Sequence, residues 1–290
     1  MDPSLAQWKS LGHTFSYRGR SVFYRREGRG PTVVALHGYP LSSWDFSRVW
    51  ATLTEAHDVI APDMVGFGFS DKPRDGEYSL AMMADTVEAL AASLDVTSAH
   101  LVAFDLGTAV AQELLARFEE GRAKVRLRSV CFLNGSLFPE VYRPRWIQKV
   151  LVSPLGPWVG PRLPRGLVQK ALVSTFGPHT KPSPEDLERF SQLIEAGEGL
   201  SVTHKLNKLV FDRRTHRDRW VSAMQSTRVA MRLVNGPADP NSGAHMMQRY
   251  RELVPSPDIV SVGDAIGHWP LLEAPDASAR AILEHWARAA

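Results

Sequence analysis

A chain of 290 residues with 44% apolar and 22% charged side chains can bury one large core carrying an insertion, and is short for two ordinary domains. Its single cysteine, Cys131, excludes an internal disulfide framework and any paired-cysteine metal site. The net charge of +3 is mild, and the two basic stretches, Arg122 to Arg128 and Arg213 to Arg219, lack interleaved aromatics. They read as solvated surface, so no nucleic-acid partner is expected. No window approaches the roughly 18 apolar residues of a membrane span, and Met1-Asp2-Pro3-Ser4 does not open a signal peptide. A soluble, cytoplasmic protein is the expectation.

In chain order, Thr14 to Tyr17 and Ser21 to Arg26 flank Arg18-Gly19-Arg20 and predict a β-hairpin. Pro31 to Leu36 is a short β-branched run stopped by His37-Gly38-Tyr39-Pro40, a buried strand running into a turn. A second strand is expected over His57 to Asp63, before the glycine-spaced loop Gly66 to Ser70. Leu80 to Leu94 has helical periodicity. His100 to Phe104 predicts a third buried strand continuing into a helix from Gly107 to Phe118, and Arg126 to Leu133 a fourth strand in which Cys131 is a small core residue. Such alternation predicts an α/β fold with a mostly parallel, doubly wound sheet.

The alternation stops between Ser136 and Trp220, where prolines, tryptophans and helical segments such as Pro184 to Ala196 replace strands. It resumes with strands at Val229 to Val234 and Asp258 to Val262 and a closing helix from Ser278 to Ala289. The expected organisation is a core of residues 1–135 and 222–290, with residues 136–221 as a helical cap over the carboxyl edge of the sheet, where such folds bind ligands.

Ala103-Phe104-Asp105-Leu106-Gly107 lies between a strand and a helix and has the small-x-nucleophile-x-small form of a nucleophile elbow. The competing reading makes Asp105 an ordinary helix N-cap. Asp239, in Asn235-Gly236-Pro237-Ala238-Asp239-Pro240, and His268, in Asp264-Ala265-Ile266-Gly267-His268-Trp269-Pro270, each follow a later strand. Alone, each is a turn or loop residue; together with Asp105 they stand in the order nucleophile, acid, histidine. His37-Gly38-Tyr39-Pro40 is either a simple turn or the loop that supplies one oxyanion-hole N–H; in the second case the two donors are the amides of Tyr39 and Leu106.

Read together, His37 to Pro40, Gly66-Phe67-Gly68-Phe69-Ser70-Asp71-Lys72-Pro73, Asp105, Asp239 and His268 resemble the epoxide hydrolase and haloalkane dehalogenase branch of the α/β-hydrolases. Within it, the stretches Ala111 to Leu115, Phe176 to Ser183 and Arg219 to Val221 are similar to the mesoderm-specific transcript protein-like hydrolases. The resemblance implies an α/β-hydrolase fold with an inserted cap and no cofactor or metal. It also implies an Asp105 nucleophile, a His268 general base and Asp239 as its orienting acid. Departures are Phe104, where relatives commonly carry histidine, and Leu106, which lacks the N–H that a tryptophan gives a departing halide.

An anionic carboxylate suits displacement at a saturated carbon bearing a strained or good leaving group. The leading expectation is therefore an epoxide hydrolase acting on a hydrophobic small molecule. The alternatives are a haloalkane dehalogenase or a hydrolase-fold binding protein without efficient catalysis; the absence of a serine at the elbow argues against a serine esterase. Two cap tyrosines usually protonate the epoxide oxygen, yet Tyr142 is the only tyrosine between Tyr78 and Tyr250. Tyr142 and His179 are the candidate ring-opening acids, with His204 and His216 also in the cap. Phe138, Trp146, Trp158, Phe176 and Trp220 are expected to provide an apolar pocket. No oligomeric state follows from these patterns.

Overall fold

The computed structural model describes residues 1–289. Its centre is one eight-stranded sheet in the order β1-β2-β4-β3-β5-β6-β7-β8. The strands are β1 (Gly12–Tyr17), β2 (Arg20–Glu27), β3 (Thr32–Leu36), β4 (Asp58–Pro62), β5 (Ser98–Phe104), β6 (Arg126–Leu133), β7 (Ala230–Asn235) and β8 (Asp258–Ser261). β1 pairs antiparallel with β2 and β2 antiparallel with β4; every later pairing is parallel. The central strands carry Val, Ile, Leu, Ala and Phe on both faces because helices cover both faces. Cys131 is fully buried in β6, as its apolar neighbours predict.

The helices are α1 (Pro3–Ser10), α2 (Trp50–Thr54), α3 (Leu80–Ser93), α4 (Leu106–Glu119), α5 (Trp146–Val152), α6 (Gly156–Val159), α7 (Arg165–Val173), α8 (Pro184–Glu195), α9 (Thr203–Ser226), α10 (Ala244–Leu253), α11 (Pro270–Glu273) and α12 (Pro275–Arg288). Side-chain caps fix the starts of several of them. Ser79 accepts from the Met82 N–H at the start of α3. Ser183 and Asp186 form a reciprocal capping box at α8, with Pro184 as its first residue. α3, α4, α9 and α10 pack on one face around Leu101, Leu114, Leu209 and Tyr250. α1, α2 and α12 pack on the other around Trp8, Trp50, Ile282 and Trp286.

The strand-free stretch falls between β6 and β7. Its last helix, α9, runs on to Ser226, so a division after residue 221 falls inside a helix. α9 is also tied to α4. Glu113 accepts from Arg219 Nη1 and from the Trp220 indole at 2.9 Å, and from Arg117 Nε at 2.9 Å. Arg117 in turn reaches Glu88 and Asp85, each at 2.7 Å. This corrects the reading of Arg213 to Arg219 as simple solvated surface: Arg219 is engaged by Glu113 and Glu120, Arg217 by Glu140 and Asp218, and Arg213 is buried at 1% exposure.

Removing one member of a buried charge network leaves the others uncompensated, typically costing about 3–5 kcal/mol. Arg117→Met is expected near the lower end of that range, because Glu113 keeps Arg219. Arg122→Met, which breaks the exposed pair with Glu120, is expected to cost under about 0.5 kcal/mol. Thermal or denaturant unfolding of the two variants checks the contrast.

Candidate active site

β5 delivers Asp105 to the carboxyl edge of the sheet, and α4 starts at the next residue. The turn is tight enough to force Asp105 to φ +44° and ψ −106°, a region that side chains other than glycine rarely adopt. Its neighbours must then be small. A Cβ on Gly107 would lie 2.3 Å from the Leu36 carbonyl oxygen, and one on Gly38 would lie 2.9 Å from the Asp105 Cβ. The Asp105 carboxylate makes no capping bond to α4, which removes the N-cap reading. Its Oδ2 instead accepts from the Tyr39 backbone N–H at 2.9 Å.

His268 and Asp239 meet Asp105 there. His268 Nε2 lies 3.8 Å from Asp105 Oδ1, and His268 Nδ1 donates to Asp239 Oδ2 at 2.7 Å. The first distance exceeds a hydrogen bond, so the carboxylate is not tied up by the imidazole; the second is a short charge-assisted contact. Asp239 is held from three further sides. Ser242 Oγ donates to Oδ2 at 2.6 Å, Asn134 Nδ2 to Oδ2 at 3.1 Å, and the Asn241 N–H to Oδ1 at 2.7 Å. Burial opposes its charge, but His268, Ser242 and the Asn241 N–H hold its carboxyl below the ordinary aspartate value. Burial likewise pulls His268 down, yet Asp239, the hydrogen bond to it, Asp105 and Glu273 together raise the imidazole to about 9.

Glu273 fixes the histidine loop by accepting from the N–H groups of Gly177, Gly267 and Trp269 and from Thr180 Oγ1. The loop after β3 is fixed equally firmly. His37 Nε2 accepts from the Met64 N–H at 2.9 Å while Nδ1 donates to the Gly38 carbonyl at 2.8 Å. Only the neutral ring can do both, and burial lowers its pKa to about 4. Asp45 Oδ2 accepts from the Gly38 N–H at 2.9 Å. The Tyr39 amide is thereby aimed at Asp105, and Leu106, at the first position of α4, has no N–H partner within its own helix.

A cavity of about 100 Å³ opens above these groups, lined by Tyr39, Asp105 and His268 from the sheet side and largely by the insertion on the other. Tyr142 is part of its lining. His179 is not: it lies exposed after α7, beyond the cavity wall, which corrects its candidacy as an acid. His204 and His216 are also outside the lining. The expected aromatic pocket is corrected too. Trp146 and Trp158 point to solvent, Phe138, Phe176 and Trp220 are core, and the apolar wall is mainly aliphatic, with Ile147, Leu151, Leu163, Val168 and Leu172 beside Trp269. Phe104 packs its ring against His268 and Trp269, 5.3 Å from each.

Two groups near Asp105 escaped the sequence reading. The Tyr39 side chain faces the same cavity, and its hydroxyl accepts from Asn207 Nδ2 at 2.5 Å. The Tyr142 hydroxyl is near Gln148 Oε1 and Nε2, at 3.2 and 3.1 Å. Burial raises both phenols well above their ordinary pKa, with Asp105 adding to each, so both keep their protons. Asn134 is the second omission. It sits at φ +31° directly after β6 and ties Gly236 and Asp239 together.

Residues 31–275 match a family model described as the alpha/beta hydrolase fold. The mesoderm-specific transcript homolog protein of Bos taurus is 38% identical over 288 residues, covering 95% of this chain and 85% of that protein. A Mycobacterium tuberculosis protein named as a putative hydrolase, LipZ, is 36% identical over 282 residues, covering 97% of each. Among solved structures, the haloalkane dehalogenase DbeA of Bradyrhizobium elkani superposes with a TM-score of 0.81 at 23% identity, over 96% of this chain and 98% of that one.

Proposed function

The chain belongs to the alpha/beta hydrolase fold family, and from that premise we propose that it is an epoxide hydrolase working through an ester on Asp105. The observation that carries the reading is the carboxylate itself. Asp105 stands at the elbow 3.8 Å from His268 Nε2, with two protonated phenols lining the same cavity. Asp105 Oδ1 attacks a ring carbon of the epoxide, the carbon–oxygen bond opens, and a phenol gives its proton to the ring oxygen. Tyr39 and Tyr142 together take the place of two cap tyrosines, one from the loop after β3 and one from the insertion.

In the second step His268, oriented by Asp239, takes a proton from water as hydroxide adds to the Asp105 carboxyl carbon. The oxyanion faces the amides of Tyr39 and Leu106. Collapse breaks the bond to the alkyl oxygen, and the two protons of the water end on that oxygen and on the phenolate. The product is a diol. The insertion serves as a cap, whose aliphatic wall suits a slender hydrophobic substrate.

A dehalogenase would share the nucleophile but needs N–H donors for halide, and position 106 is leucine. The test is diol formation from styrene oxide set against halide release from a bromoalkane. Diol without halide supports the reading; halide without diol overturns it. Tyr142→Phe and Tyr39→Phe are each expected to lower kcat on the epoxide by about 10², as loss of general-acid help does. KM should move less, and the double variant should lose more than either. A Tyr39→Phe protein with unchanged kcat would leave Tyr142 as the lone donor.

A further inference from the structure

We infer that the outer surface of α5 to α7 docks onto anionic membrane surfaces. Residues 141–184 contain seven cations, Arg143, Arg145, Lys149, Arg162, Arg165, Lys170 and Lys181, and no aspartate or glutamate. That exceeds the whole chain's net charge of +3, so the remainder of the protein is net acidic and the cations are concentrated on the insertion. Arg165 is taken up by Glu188 and Glu195. Arg143, Lys149, Arg162 and Lys170 are exposed and form no ion pair among the described residues.

The same stretch carries most of the large apolar side chains left in solvent. Trp146 is 61% exposed, Leu155 63% and Trp158 70%; the others are Met1 and Leu11. The helices that bear them are two-sided. On α5, Ile147, Gln148 and Leu151 face the cavity while Trp146 and Lys149, three residues apart, face out. On α7, Val168, Ala171 and Leu172 face the cavity while Arg165 and Lys170 face out. Between them α6 packs on α5 and presents Trp158, with Leu155 exposed just before its first residue.

Exposed tryptophans beside unpaired lysines and arginines match a lipid interface, where indole rings sit at headgroup level and cations meet anionic phosphate. No helix among the described residues is long and apolar enough to cross a membrane, so the contact is peripheral. A second copy meeting this patch with its own equivalent would set cation against cation, because residues 141–184 carry no acid.

The test uses the full chain with vesicles of phosphatidylcholine alone or mixed with phosphatidylglycerol. Co-sedimentation is expected with the mixed vesicles, weakly or not at all with phosphatidylcholine, and to decline as salt rises. Tryptophan emission should shift to the blue on binding. Lys149→Glu/Arg162→Glu is expected to weaken partition by at least roughly 25-fold, taking about 5-fold for each lost cation. Trp146→Ser/Trp158→Ser should abolish the emission shift while melting as the parent does. Binding that ignores lipid charge and all four residues overturns the inference. So does an absence of vesicle binding, and a dimer that the Trp146→Ser/Trp158→Ser protein fails to form would then mark the patch as a self-contact.

Discussion

Asp105→Ala is expected to lower epoxide turnover by roughly 10⁴–10⁶, the scale on which losing a nucleophile removes a covalent route. The protein should still fold. Alanine has to take the same φ +44° and ψ −106° and leaves the Tyr39 N–H without its acceptor, so a stability loss of about 1 kcal/mol is the expected side effect. Turnover above about 1% of the parent in a folded Asp105→Ala protein would rule out the ester, since a general base alone contributes about 10²–10⁴. A second readout separates attack by Asp105 from its action as a base on water. In a single turnover in heavy-oxygen water, the ester route puts solvent oxygen into the Asp105 carboxylate and an enzyme oxygen into the diol. Direct attack by water leaves the carboxylate unlabelled.

The elements that position Asp105 were legible because their signals are local. A buried apolar run ending at Phe104 followed by a helical pattern fixes the elbow, and β3, β4 and β6 announce themselves in the same way. The order Asp105, Asp239, His268 was legible because each follows a strand. What stayed hidden depends on distance in the chain. Nothing in Arg213 to Arg219 tells that Arg219 meets Glu113 across 106 residues. His179 and Tyr142 look alike in sequence, and only the course of the insertion brings one phenol to the cavity over Asp105 and leaves the imidazole in solvent. Tyr39 was read for its amide alone, although the loop that aims the N–H at Asp105 also turns the ring into the cavity. α1 was missed because eight residues give little periodicity; its Asp2 cap and buried Leu5 and Trp8 are clear only once packed.

His268→Gln is expected to stop the cycle after its first step. Attack by Asp105 needs no proton on or off His268, so epoxide should be consumed in a burst of one equivalent. The ester should then persist, visible by mass spectrometry as substrate mass on the peptide carrying Asp105. Steady turnover should fall by roughly 10²–10⁴, the usual contribution of a general base. The same step sets the pH dependence. In the free protein the imidazole sits near 9, lifted by Asp239, Asp105 and Glu273 against burial, and is protonated at neutral pH. Forming the ester neutralises Asp105, which removes one of the lifting charges and lowers the imidazole at the stage of the cycle where it must accept a proton. Ester hydrolysis therefore should rise with pH through a value below about 9, because only neutral imidazole can take the water's proton. Asp239→Asn removes the larger lifting charge, so its profile should shift to lower pH while its maximum rate drops. A rate of ester hydrolysis that falls as pH rises from 6 to 8, roughly spanning the ordinary histidine range, would exclude His268 as the base.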